Sequence, residues 1–136
     1  MTGGIGPGPE GEKVANARVL VVDDDPLIRD IMEGLLGDSY ELALASGGAE
    51  ALEMAEKLCP AVVLLDVMMP GMDGHEVCRR MRQVACLGAT KIILVSGNIP
   101  DDDHLGGPPS GADDFVLKPF DFGELVRKIE GVLDPQ

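Results

Sequence analysis

Cysteine is scarce in this chain. Its 136 residues include three, Cys59, Cys78 and Cys86. An odd set at irregular spacing argues for reduced thiols of a cytosolic protein, packed on helix faces, rather than a disulfide framework. There is no CxxC pair or Cys/His cluster of the kind that holds zinc. The two histidines, His75 and His104, have no partner at metal-ligand spacing and read as surface residues. Long apolar runs are missing too. No stretch approaches the ~20 apolar residues that a bilayer crossing needs, which argues against membrane insertion. The N-terminus shows no basic segment followed by an apolar one, so no secretory leader is expected and the cytoplasm is the expected location. Positive charge is in deficit: 11 Lys and Arg stand against 24 Asp and Glu, a net charge of −13. Binding to nucleic acid depends on neutralising phosphates with Lys and Arg, so this balance argues against direct nucleic-acid binding. Most of the carboxylates read as a solvated surface.

Apolar residues make up 45% of the chain, enough for one domain with a buried core. Residues 1–16 are rich in Gly and Pro without apolar periodicity and read as a disordered N-terminal tail, leaving one domain over 17–134. From Arg18 onward, short apolar runs alternate with amphipathic segments. Val19-Leu20-Val21-Val22 is a strand that ends in three aspartates. Leu27, Ile28, Ile31, Met32, Leu35 and Leu36 recur at helical spacing before Gly37. Tyr40 to Ala45 is a second strand, followed by a helix with Ala51, Leu52, Ala55 and Leu58 inward, which Pro60 ends. Ala61 to Leu65 is a strand ending at Asp66, and Glu76 to Val84 a third helix. Ile92 to Val95 ends at Ser96, Phe115 to Leu117 ends at Lys118, and a last helix carries Leu125, Val126, Ile129, Val132 and Leu133. Strands apolar on both faces and separated by helices imply an α/β fold: a doubly wound, five-stranded parallel sheet. The segment from Asn98 to Gly111 interrupts this alternation. Gly106, Gly107, Pro108 and Pro109 would stop a helix within about two turns, so a short or irregular fourth helix is expected there.

Ligands of open parallel sheets bind outside the carboxyl ends of the strands. Four such ends carry polar groups here: Asp23, Asp24 and Asp25 on the first strand, Asp66 on the third, Ser96 on the fourth and Lys118 on the fifth. Crowded carboxylates repel one another, and a hard divalent cation relieves that repulsion; Mg2+ takes one or two carboxylates plus water and phosphate oxygens. A lysine beside such a site suits a phosphoryl oxygen, a serine hydroxyl can donate to another, and a carboxylate can attack phosphorus to form an aspartyl phosphate. Taken singly, each group has a duller explanation. Asp23 to Asp25 before Pro26 could cap a helix, Asp66 could be a turn residue, Ser96 a turn hydroxyl and Lys118 a solvated charge. Convergence of all four on one sheet edge is what points to a phosphoryl site.

Together, Val22-Asp23-Asp24-Asp25-Pro26, Leu65-Asp66-Val67-Met68-Met69-Pro70-Gly71-Met72-Asp73-Gly74, Ser96-Gly97 and Lys118-Pro119-Phe120 resemble the receiver domains of bacterial response regulators, the CheY-like modules of two-component phosphorelays. The resemblance runs from about Arg18 to Leu133 and implies a flavodoxin-like (β/α)5 fold. It implies that Asp66 accepts a phosphoryl group from a phosphohistidine on a sensor histidine kinase or a histidine phosphotransfer protein. It implies Mg2+ as cofactor, held by Asp24, Asp66 and the backbone carbonyl of Met68, with Asp23 acting mostly through a metal-bound water. Ser96 and Lys118 would contact the phosphoryl group. Ser96 and Phe115 would form the switch that alters binding of a downstream protein, and the Lys118–Pro119 bond would be cis. Catalysis would be limited to the domain's own phosphorylation and dephosphorylation, so the chain is not otherwise an enzyme.

Three features depart from the family pattern. The Gly/Pro-rich stretch at 98–110 puts the usual output or homodimer surface in doubt, Phe115 lacks the hydroxyl of a tyrosine, and Met68 and Asn98 leave the phosphoryl lifetime open. Only Asp134-Pro135-Gln136 follow the last helix, so the expectation is a stand-alone receiver or a unit cut from a longer protein. Two readings compete with this one: a degenerate receiver that binds partners without phosphorylation, and a haloacid-dehalogenase-type phosphatase with Asp23 as nucleophile. The complete Asp23, Asp24, Asp66, Ser96 and Lys118 set opposes the first. Leu27 at the motif's end and the short chain oppose the second.

Overall fold

The computed structural model describes residues 17–97 and 111–133. The expected tail at 1–16, and the segment where a short fourth helix is expected, lie outside the described residues, as does His104. The elements in chain order are β1 (Arg18–Val22), α1 (Pro26–Leu36), β2 (Glu41–Ala45), α2 (Gly48–Leu58), β3 (Val62–Asp66) and α3 (Gly74–Met81). A 3-10 turn (Ala85–Leu87) follows, then β4 (Lys91–Ser96), β5 (Asp114–Leu117) and α4 (Phe122–Leu133). The five strands form one parallel sheet in the order β2-β1-β3-β4-β5. None of the described helices is long and apolar enough to cross a membrane.

Successive strand residues point to opposite faces, so each apolar run builds two cores. Leu20, Val22, Val63, Leu65, Ile92 and Leu94 pack with Ala51 and Ala55 of α2 and Val77 and Met81 of α3. Val19, Val21, Val62, Leu64 and Ile93 pack with Met32 and Leu36 of α1 and Leu125 and Ile129 of α4. Burial of this many Val, Leu and Ile side chains, at roughly 1.5–3 kcal/mol each, is the main stabilising force. All five residues of β3 are buried, which fixes Asp66 at the rim of the most enclosed strand.

Local chemistry sets the helix starts. Asp25 caps α1 by accepting from the Leu27 N–H at 2.9 Å, with Pro26 in the first turn. Asp73 caps α3 through the Glu76 N–H at 3.0 Å, and Asp121 accepts the Glu124 N–H at 2.7 Å at the start of α4. The third helix is shorter than its apolar pattern suggests. It ends at Met81, where the backbone tightens and the Gln83 and Val84 N–H groups donate to the Arg80 and Met81 carbonyls, while the guanidinium of Arg82 gathers the carbonyls of Leu87, Thr90 and Gly111 and the Asp113 carboxylate at 2.7–3.2 Å. Asp113 also accepts the Ile92 N–H at 2.8 Å, so this one arginine ties the end of α3 to the entries of β4 and β5.

The structure corrects the expectation for the cysteines. Cys59 and Cys86 form a disulfide, with Cα atoms 5.8 Å apart across 27 residues of sequence. The end of α2 and the 3-10 turn meet only once both pack on the same face of the sheet, so spacing along the chain does not reveal the pair. Cys78 is the one that meets the expectation, buried on the inner face of α3.

Candidate functional site

In a parallel sheet all carboxyl ends lie on one edge, and the central position of β1, β3 and β4 brings their ends together there. Asp23 follows β1 directly, and Asp66 is the last residue of β3. The two are buried, with 4% and 3% of their surface exposed, while Asp24 is exposed. Carboxylate oxygens of Asp23, Asp24 and Asp66 lie within 4.8 Å of one another. Lys118, following β5, brings its ammonium to 3.4 Å from Asp66 Oδ1 and 4.0 Å from Asp23 Oδ2. Its peptide bond to Pro119 is cis, as the resemblance implies.

The aspartate triplet divides its labour. Asp25 is a helix cap, the duller reading of the run, whereas Asp23 and Asp24 cluster their carboxylates with that of Asp66. Asp23 Oδ1 accepts the Asp25 N–H at 2.9 Å, and its backbone carbonyl accepts from Arg29 Nη1 at 2.7 Å. Sequence reasoning missed Arg29; its place one turn into α1, after an acidic strand end, was the available signal. Asp66 Oδ1 accepts the Met68 N–H at 3.2 Å, holding the carboxylate against the turn that leads to α3. Val95 stands beside Asp66 in register, so Ser96 lies one residue further along the neighbouring strand, where its carbonyl accepts the Lys118 N–H at 2.7 Å. Phe115 is separate from this cluster: it pairs with Leu94 in the middle of β5 and packs, half-buried, on the α2/α3 core. A cleft of about 480 Å³ opens beside the carboxylates, walled by Ile28 and Met32 of α1 and by Phe120 and Phe122.

Burial holds the Asp23 carboxyl above its ordinary value of 3.8, helped by the repulsion of Asp66 and Asp24 and opposed by the Asp25 N–H and Lys118. Only in the interval between 3.8 and the raised folded pKa does the folded chain keep a proton on Asp23 that the unfolded chain has released. As pH rises from about 3.8 through the folded pKa, stability falls, and the loss is complete above it. Asp23→Asn retains the acceptor for Asp25 and removes this charge. In a metal chelator the variant is expected to melt above the parent chain at pH 7 and to approach it at pH 4. Thermal melts at the two pH values check this; an equal difference at both would contradict the assignment.

Comparison with known proteins identifies the family. Residues 19–130 match the family model of the response regulator receiver domain. The chain is 38% identical over 117 residues to the DNA-binding response regulator MtrA of Mycolicibacterium smegmatis, covering 85% of this chain and 50% of that protein. It is 40% identical over 118 residues to the response regulator PleD of Caulobacter vibrioides, covering 86% of this chain and 26% of that protein. The chain thus spans half the length of the first relative and about a quarter of the second. Among solved structures, Vibrio cholerae chemotaxis protein CheY4 superposes with a TM-score of 0.81 at 33% identity, covering 88% of this chain and 100% of that one. The receiver domain of sensor histidine kinase PA1611 from Pseudomonas aeruginosa, which has a magnesium ion coordinated in its active site cleft, gives 0.79 at 27% identity, covering 88% and 98%.

Proposed function

We propose, for a chain that belongs to the response regulator receiver domain family of two-component signalling, that residues 17–134 form a phosphorylation switch with Asp66 as the phosphoacceptor. The observation that carries this reading is the meeting of three carboxylates within 4.8 Å, with the Lys118 ammonium 3.4 Å from Asp66. Three negative charges against one positive leave two uncompensated, the charge of one divalent cation. Hard oxygen donors at a solvent-facing rim suit Mg2+. Asp24, Asp66 and the Met68 carbonyl would hold it, and Asp23, set deeper, would act through a water. When bound, Mg2+ supplies positive charge next to the phosphoryl oxygens.

The remaining work falls to the chain itself. Phosphoryl transfer needs chiefly positioning and charge neutralisation. One Asp66 oxygen attacks the phosphorus of a phosphohistidine on a sensor kinase or phosphotransfer protein. The O–P bond forms as the P–N bond breaks, and the imidazole leaves with the electron pair. Lys118, already 3.4 Å from the carboxylate, pairs with a phosphoryl oxygen. The Ser96 hydroxyl donates to another and draws the end of β4 toward it. Leu94, two residues back on β4, is the strand partner of Phe115, so a shift of Ser96 is relayed to that ring and to the surface a downstream protein reads. The phosphoryl group moves this equilibrium only through its different contacts in the two states. Water later cleaves the acyl phosphate and resets the switch.

Intact-mass measurement after incubation with acetyl phosphate tests the reading. One added phosphoryl group is expected with Mg2+, and most of it should be missing when a chelator is present. Failure to gain the group from acetyl phosphate, combined with failure to bind beryllofluoride in Mg2+, would refute the phosphoacceptor assignment.

A further inference from the structure

The Cys59–Cys86 pair stands at the edge of the sheet opposite Asp66. Cys59 ends α2 just ahead of β3, and Cys86 lies in the 3-10 turn just ahead of β4, so both are at the amino ends of those strands. The five residues of β3 separate this edge from Asp66 by roughly 15 Å at about 3.3 Å per residue. The segment between the cysteines contains all of β3, Asp66, the following turn and α3.

We propose that Cys59 and Cys86 form a reversible redox modification site, closed by exchange with a low-molecular-weight disulfide and reopened by thiols, that staples the Asp66-bearing segment of the fold. The Cα separation of 5.8 Å falls within the range a disulfide can span without backbone movement. Both residues are exposed, so a small reagent can reach them. The Glu56 carbonyl lies 3.6 Å from Cys59 Sγ and 3.7 Å from Cys86 Sγ, so an acceptor for an S–H is in place when the pair is open. Cys59 caps α2 in the left-handed region, with φ at 45°, where Gly or Asn is the usual occupant. A cysteine therefore stands there against the backbone preference. Cys78 is excluded from the chemistry: it is buried, and burial pushes its thiol up to about 11, so it is neither reachable nor ionised near neutral pH.

The exchange balances. One protein thiolate attacks a sulfur of the small disulfide and releases one small thiol. The second protein thiolate attacks the cysteine sulfur of that mixed disulfide and releases the other. Two protein thiols and one small disulfide become one protein disulfide and two small thiols, and the two protons pass to the departing thiolates.

The full chain, equilibrated in glutathione buffers of graded oxidation, alkylated with iodoacetamide without unfolding, digested and mapped by mass, tests the proposal. In reduced buffer Cys59 and Cys86 should both be alkylated. In oxidised buffer the peptides carrying them should be joined, and Cys78 should react in neither until the chain is unfolded. Closing the loop removes freedom from the unfolded chain, so the oxidised form should melt about 10 °C above the reduced one. The C59S/C86S variant should melt with the reduced form and ignore glutathione. Continued alkylation of both cysteines at every ratio, glutathione adducts in place of a joined peptide, or a redox-dependent melt in the double variant would each overturn the proposal. None of these readouts involves phosphoryl transfer, so they stand or fall apart from the function of Asp66.

Discussion

Asp66→Asn is expected to take up no phosphoryl group from acetyl phosphate and Mg2+, yet to fold as the parent chain does. The amide nitrogen of asparagine has its lone pair delocalised, and the amide oxygen carries no full charge, so neither attacks phosphorus at a useful rate. The shape is retained: the amide oxygen can still accept the Met68 N–H, which lies 3.2 Å from Asp66 Oδ1 in the parent. One of three clustered carboxylates is removed, so the metal-free variant suffers less repulsion than its parent. Intact mass should show complete loss of the adduct, and a thermal melt in chelator should show no loss of stability. A surviving adduct would mean that a second carboxylate takes the group. Asp23, buried and next to the same lysine, would be the first to replace.

Gly74→Ala is expected to cost about 2–3 kcal/mol of folding stability, the cost of forcing an atom into backbone that cannot move aside. A Cβ at residue 74 would lie 2.5 Å from the Asp66 carbonyl oxygen and 2.8 Å from the Val67 Cα. The close approach has a local cause. The Gly74 N–H donates to the Val67 carbonyl at 2.9 Å, which draws the start of α3 down onto the end of β3 and sets the turn that carries Met68. The variant should therefore also accept the phosphoryl group more slowly. Gly71 is a useful contrast: its φ of 81° disfavours a side chain, but nothing lies within 4 Å, so alanine there should cost about 1 kcal/mol. Urea denaturation of both variants checks the order. A Gly74→Ala chain within about 0.5 kcal/mol of the parent would show that the helix start can move away freely, contrary to the packing argument.

The sequence by itself determined the parallel sheet, because strands apolar at every position can be buried only between two helical layers. It also put Asp23, Asp66, Ser96 and Lys118 on one edge of the sheet, since strand ends of a parallel sheet must share it. Turn and cap residues were readable for the same reason: Asp25 with Pro26 acts through neighbours only a few positions away.

What acts across the chain was left to the tertiary structure. Only the strand order, with β1 between β2 and β3, brings Asp23 close enough to Asp66 to be desolvated and crowded beside it. Only packing of α2 and the 3-10 turn on a common face brings Cys59 to Cys86, overturning the reading of isolated thiols. The carbonyl and carboxylate partners of Arg82 at the end of α3 come from residues 87 to 113, which no helical period contains. Periodicity records which face of an element is buried. It does not record which distant group waits on that face, and at this site and this disulfide the distant group decides the chemistry.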